Sequence, residues 1–231
     1  MRTLPLRLAL YFFLYLTCYE IRSEDYKTLI IPAGNTPIKE EWKLVNNSEG
    51  IYIYTRSNYD SDVHEAMVTT EISAPPWRVN AVLADYKHHH EFMPYVSETV
   101  ALRNDSTKVS VFQQLDFFPI PITDRYFTIR IVIAPNQFGP GSYQICWSPE
   151  NEKSFVREGR GIPVLVNTGC WELRPIRNGT STSVNYYHLA DPGGWLPTWV
   201  INKGTVDILP RMIKAVKKQV SAPQYEKFMS H

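Results

Sequence analysis

One run near the C-terminus limits the fold more than any other part of the chain. Within "ADPGGWLPTWVINKGTVDILPRMIKAVKKQV", residues 190–220, Trp195, Trp199, Asn202, Val206, Leu209, Ile213, Val216 and Val220 recur in alternating steps of four and three. This spacing gathers them into one stripe on a helix of about seven turns. Lys203, Lys214, Lys217 and Lys218 fall off the stripe, three of them near the end where cations complement the helix dipole. A helix this long with one apolar side needs a broad apolar surface to cover. Two residues disturb the pattern. Pro210 lacks an amide hydrogen and crowds the Val206 carbonyl, and Asn202 is a polar group that needs a partner once buried.

The surface to be covered is written upstream. Residues 51–56 alternate as a strand, and "VHEAMVTTEIS" is a second strand that stops at Ala74-Pro75-Pro76, where proline signals a helix start. "PPWRVNAVLADYKHHHEFM" then carries Val79, Leu83 and Tyr86 at helical spacing. Before the first strand, "KEEWKLVNN" reads as an amphipathic stub. "SETVALRND", "KVSVFQQLDFF", "YFTIRIVIA", "GSYQICWSP", "KSFVREGR", "GCWELRPI" and "TSVNYYHLA" follow as a long antiparallel meander between short Asn/Asp/Gly/Pro turns. The order of strand pair, helix, many strands and long helix predicts an α+β fold with its helices segregated against an antiparallel sheet. No repeat or linker divides the 231 residues, so one domain is expected.

The first residues read differently. Arg2 and Arg7 precede an apolar run from Leu8 to Leu16, too short to span about 30 Å of hydrocarbon. Residues 1–23 are therefore expected to be an export signal cleaved after Ser23, which places the mature chain, residues 24–231, in the periplasm or outside the cell. An uncleaved anchoring segment and a lipid on Cys18 are the alternatives. Cleavage takes away Arg2, Arg7 and Arg22 against one acid, Glu20, and turns the formal charge of +1 slightly negative. The 24 Lys and Arg form no basic block, which argues against nucleic acid as a partner. Cys146 and Cys170, each followed by Trp, could pair in an oxidising compartment, but no spacing rule demands it and two buried thiols are expected.

Several segments also resemble a known family. "DPGGWLPTWVINK" is similar to the lead into the last helix of the steroidogenic-acute-regulatory-related lipid transfer (START) family. "FPIPITDRYFTIR" resembles its Pro-rich turn, Arg-aromatic step and following Arg strand. The likeness runs in order over roughly residues 40–221, through "GIYIYTRS", "VLADYKHHHEFMPYVSE" and "GCWELRPI". It implies the helix-grip fold, in which an incurved antiparallel sheet and the C-terminal helix enclose a hydrophobic tunnel. It also implies binding or transfer, rather than covalent chemistry, of one lipid-sized ligand. The expected ligand is a hydrophobic or amphipathic molecule of the lipid or sterol class, held by a monomer without cofactor or metal that makes transient membrane contact. The chain departs from the family's Arg-Asp-aromatic order at Asp124-Arg125-Tyr126-Phe127, which leaves the polar end of the tunnel open.

On this resemblance the expected cavity residues are Arg130, Thr128, Asp116, Tyr186, Trp195, Trp199, Asn202 and Val206. Arg130 would hold a ligand headgroup through its fork of donors, with Gln113, Gln114 or Asp116 as its polar neighbour. Gly193, Gly194 and Pro210 are the expected hinge points for loading. Three consecutive histidines, His88 to His90, cannot converge on one ion from a regular element. No Gly-x-Ser-x-Gly elbow, phosphate loop or dinucleotide fingerprint occurs. A cyclase- or hydrolase-like enzyme using Asp116, Arg130 or Tyr186 on the same fold is the alternative. A protein-docking module would need an apolar outer side on the last helix, where the lysines lie instead.

Overall fold

The computed structural model describes residues 42–57, 61–105, 108–117 and 122–226. The expected export segment, residues 1–23 with Cys18, lies outside the described residues. In chain order the elements are β1 (Lys43–Ser48), β2 (Ile51–Arg56), β3 (Glu65–Ile72), α1 (Pro76–Ala84), α2 (His89–Phe92), β4 (Val96–Asn104) and β5 (Lys108–Leu115). They continue with β6 (Arg125–Pro135), β7 (Tyr143–Pro149), β8 (Ile162–Pro163), β9 (Val166–Ile176), β10 (Ser181–Asp191) and α3 (Thr198–Gln219). The strands form one sheet in the order β1-β2-β3-β10-β9-β7-β6-β5-β4, with β8 parallel beside the start of β6. The expected α+β architecture, with the long C-terminal helix against an antiparallel sheet, is the observed one.

Alternation splits each strand between two faces. The inner face carries Ile51 and Ile53, Val68 and Ile72, Val184 and Tyr186, Trp171 and Leu173, Ile145 and Trp147, and Ile129 and Ile131, all packed in one core. The helices add Val79, Val82 and Leu83 from α1, and Leu209, Ile213 and Val216 from α3. Pro75 and Pro76 set the α1 start, as the sequence indicated.

Three expectations change. The stub before β2 is strand β1, because Glu49 and Gly50, both at positive φ, make a two-residue turn that brings Ser48 opposite Ile51. "KSFVREGR" is not a strand. It makes one short turn at Lys153–Phe155 and then crosses the outer face, where sheet side chains replace a neighbouring strand. The Arg157 amide donates to Thr128 Oγ1 (3.3 Å), and the Arg160 amide donates to Gln114 Oε1 (2.8 Å). Gln114 Nε2 donates in turn to the carbonyls of Arg125 and Arg160, each at 3.1 Å. Gly159 is required here, since a Cβ would come within 2.6 Å of both Gln114 Oε1 and Tyr126 Cβ.

The third change concerns the cysteines. They are not free thiols: β7 and β9 pair with Cys146 directly opposite Cys170, and the two form a disulfide. Neighbouring turn positions gave no hint of this, because the register that brings them together is fixed by β-pairing across 24 residues of chain. A loop of that size implies stabilisation of about 3 kcal/mol from the crosslink. Reduction, or the double change of Cys146 and Cys170 to Ser, is expected to lower the unfolding free energy by about that amount, read from urea denaturation with and without reductant.

Candidate functional site

Helical cover over the inner face is uneven. α3 rests on β2 and β3, α1 on β7, β9 and β10, and α2 on β4. No helix packs closely on β5 or β6, yet their inner side chains Val109, Val111, Ile129 and Ile131 are buried. Phe127, Ile133 and Tyr143, and Met212 of α3, stay only partly buried. The inner face and α3 thus enclose an apolar interior in which these four side chains remain partly accessible.

One wall of this interior is aromatic. Trp147 stacks on Tyr186 with centroids 5.7 Å apart, Tyr186 stacks on His188 at 5.8 Å, and Trp171 leans on Tyr186 at 4.4 Å. Gly169 makes room for the Trp147 ring, since a Cβ there would lie 2.2 Å from Trp147 Cζ2. The Trp147 indole N–H is satisfied by Asn167 Oδ1 at 2.9 Å, itself buried. Tyr186 and His188 have no such partners. Burial alone pushes the Tyr186 phenol pKa up and drives the His188 imidazole down to about 4. His188 nevertheless keeps accessible surface. A group that is dehydrated on all sides and still accessible borders an internal space.

Charge is scarce in this interior. Among the described inner-face positions of β2, β3, β5, β6, β7, β9 and β10, the one ionic side chain is Arg125, at the first position of β6. Arg125 is only 2 % exposed, and its guanidinium is consumed by backbone. Nε donates to the Pro192 carbonyl (2.7 Å), Nη2 to that of Gly193 (3.2 Å), and Nη1 to that of Thr123. Arg125 therefore ties the start of β6 to the turn between β10 and α3. Gly193 and Gly194, both at positive φ, are held in that turn, and a Cβ on Gly194 would meet Ile162 Cδ1 at 3.0 Å.

Of the residues expected in the cavity, Tyr186 lies on the inner wall and Val206 on the half-buried stretch of α3. The others lie elsewhere. Arg130 sits on the outer face, opposite Ser110 and Ser148, where it helps hold the Glu150 carboxyl below its ordinary range. Alternation decides this: Ile129 and Ile131 point inward, so Arg130 cannot. Thr128 shares the outer face and accepts from Arg157, and Asp116 pairs outside with Arg160 at 2.6 Å. Trp195 and Trp199 are 82 % and 70 % exposed. Trp195 precedes the helix, and a stripe of strict seven-residue repeat drifts about 20° per heptad around a straight helix, which carries Trp199 off the packed seam. Asn202 holds chain rather than ligand: its Oδ1 accepts from the His64 amide (2.9 Å) and its Nδ2 donates to the Asp62 carbonyl (3.3 Å). Pro210 lies inside an α3 that continues to Gln219.

No protein-family model matches the chain. An uncharacterized protein of Pseudomonas aeruginosa is 26% identical over 188 residues, covering 80% of this chain and 89% of its own. The STAR-related lipid transfer protein fragment from Xanthomonas axonopodis superposes with a TM-score of 0.70 at 23% identity, over 79% of this chain and all of that one. Human STARD10 gives 0.70 at 18% identity, over 86% and 79%. The chain has the START-domain fold. A Streptomyces aromatase/cyclase, Zhui, is a more distant fold neighbour, with a TM-score of 0.50 at 16% identity over 68% of this chain and 92% of its own.

Within this START fold the sequence pattern missed Trp147, Trp171 and His188 as wall residues and Arg125 as the tie to the turn. A signal was present in the first three: two Cys-Trp pairs in neighbouring strands, and Tyr186 and His188 two apart. The three histidines diverge. His88 pairs with Asp85 at 2.7 Å, while His89 is buried, with its Nε2 3.1 Å from the Leu83 carbonyl and its Nδ1 3.1 Å from Gln113 Nε2. The carbonyl can only accept, so the proton sits on Nε2 and Gln113 donates to Nδ1.

His89, like His188, is held neutral by dehydration, its pKa lowered to about 4. Between about pH 4 and the ordinary 6.5 the unfolded chain binds protons that the folded chain does not, so stability rises with pH through that window and is lost on acidification. Each residue is expected to contribute about 3 kcal/mol to this loss. Urea midpoints of lipid-stripped protein should fall steeply from pH 6.5 to 4, and His188→Phe should flatten the slope.

Proposed function

We propose that the chain binds one hydrophobic or amphipathic molecule of the lipid class between the inner face and α3, and exchanges it with membranes. The observation that carries this is the enclosed, nearly uncharged interior bordered by Trp147, Trp171, Tyr186 and His188. Such an apolar lining with a few placed polar atoms suits a lipid-sized ligand. A fold shared with proteins named for lipid transfer supports the same reading.

Exposed apolar side chains gather at one end of the molecule. Trp195 and Trp199 flank the α3 start, and Leu165 and Val166 lie on the neighbouring segment, whose Ile162 and Pro163 touch the 191–194 turn. Indole rings favour the boundary between headgroup and hydrocarbon, and this end is where the chain would meet a bilayer while loading. Opening there has to break the bonds from Arg125 to Pro192 and Gly193.

Native mass spectrometry and organic extraction of the purified protein should find one bound lipid per chain. Trp195→Ala with Trp199→Ala should keep that capacity and slow transfer between phosphatidylcholine vesicles about tenfold. Absence of any co-purifying or added lipid would sink the proposal; unchanged transfer would remove the tryptophans from it. A second reading, catalysis on a small hydrophobic substrate, is favoured by the neighbouring Tyr186 and His188 and by the aromatase/cyclase likeness. Turnover abolished by Tyr186→Phe would establish it.

We also propose export. Arg2 and Arg7 ahead of an apolar run, and a disulfide that persists in oxidising compartments, support it. N-terminal sequencing of protein from its host should begin near Glu24; a cytoplasmic chain starting at Met1 would overturn this.

A further inference from the structure

On β10 the register places His188 opposite Ala66 on one side and Gly169 on the other, so neither neighbour offers a polar side chain. His188 Nδ1 is sealed from solvent and has no hydrogen-bond partner. Nε2 has no protein partner either, but it is not sealed. Enclosing an unpaired N–H is costly, and a bare ring nitrogen is the cheaper atom to enclose. The proton therefore belongs on Nε2, which offers a donor to the interior. Tyr186, stacked on the same ring at 5.8 Å, brings a hydroxyl that also lacks a protein partner and is able to donate or accept.

Among the described inner-face positions of β2, β3, β5, β6, β7, β9 and β10, no ionic side chain is left free to answer an ionised ligand. Arg125 is spent on backbone carbonyls, Arg130 faces outward, and the acids of β3, β9 and β10 (Glu65, Glu71, Glu172 and Asp191) occupy outward positions. A carboxylate, phosphate or ammonium brought inside would be left without a counter-ion, which costs far more than enclosing a hydroxyl that finds a hydrogen bond.

We propose that His188 Nε2 and Tyr186 Oη are the recognition point for an uncharged oxygen, a hydroxyl or a carbonyl, on an otherwise apolar ligand, and that lipids with ionised heads are refused. This rests on the lipid-binding reading above and names its ligand class. It also accounts for two buried polar groups kept without protein partners: the ligand supplies the bond.

The test loads lipid-stripped protein with an equimolar mixture of retinol, retinoic acid, cholesterol, cholesterol sulfate, dioleoylglycerol and dioleoylphosphatidylglycerol, and reads retained species by native mass spectrometry. Each pair shares an apolar body and differs in head charge. The wild type should retain the uncharged members at least tenfold over their partners. His188→Phe and Tyr186→Phe should each reduce that ratio severalfold while total occupancy persists, and ligand-free His188→Phe should melt higher, because an unpaired buried nitrogen is gone. Equal or preferred retention of the charged members, or an unchanged ratio in both variants, overturns the inference and leaves lipid binding standing. No retention of any member, together with no co-purified lipid, overturns the lipid-binding reading itself. Should His188→Phe fail to fold, the wild-type ratio and Tyr186→Phe still decide.

Discussion

An antiparallel sheet presents one row of side chains from every strand to whatever covers it. Here the cover is a helix of nine residues, a single helical turn and a helix of 22. They meet β2 and β3 at one end and β7, β9 and β10 toward the middle, and they leave β5 and β6 without a close backbone neighbour. The inner rows of those two strands are still apolar and still buried. The interior depends on that mismatch between the width of the sheet and the reach of its helices, and the aromatic wall and the neutral histidine take their meaning from it.

Two faces of the same sheet solve the charge problem in opposite ways. Outside, Glu150 is buried but accepts from Ser110 Oγ at 2.6 Å and from the Glu152 amide at 3.0 Å, with Arg103 beside it at 3.4 Å. Its carboxyl is satisfied within the protein, and the segment after β7 is fastened to the sheet. Inside, polar atoms are few, and those of Tyr186 and His188 have no partners. A fully satisfied network serves stability; unsatisfied groups lining an accessible interior lower stability and leave bonding capacity for something else. Arg125 belongs to the first kind although it lies on the inner face, because its donors all end on carbonyls.

The resemblance carried by "DPGGWLPTWVINK" and the order of strands and helices gave the right architecture, and the prolines at Pro75 and Pro76 marked where α1 starts. Arg130 shows where such reading stops. A strand pattern says that Thr128, Arg130 and Val132 share one side and Ile129 and Ile131 the other, but not which side is inward. The core decides it, by joining Ile129 and Ile131 to Val79 of α1 and Leu209 of α3, while the segment after β7 covers Gln114 and Thr128 on the other face. Asn202 is a second case: the spacing correctly placed it at a helix position needing a partner, and the partner is the backbone of His64 and Asp62.

By itself the sequence determined what depends on near neighbours in the chain: the alternation of each strand, the turn residues, the proline that opens α1, and the periodicity of α3. These follow from local backbone geometry, which reaches only a few residues. The tertiary structure alone decided the pairing of Cys146 with Cys170, the inward side of β6, the outward turn of Trp195 and Trp199, and the meeting of Trp147, Tyr186 and His188. Those depend on which strands lie side by side and in what register. A shift of one residue would exchange the two faces, and the contacts that prevent it join positions far apart in the chain.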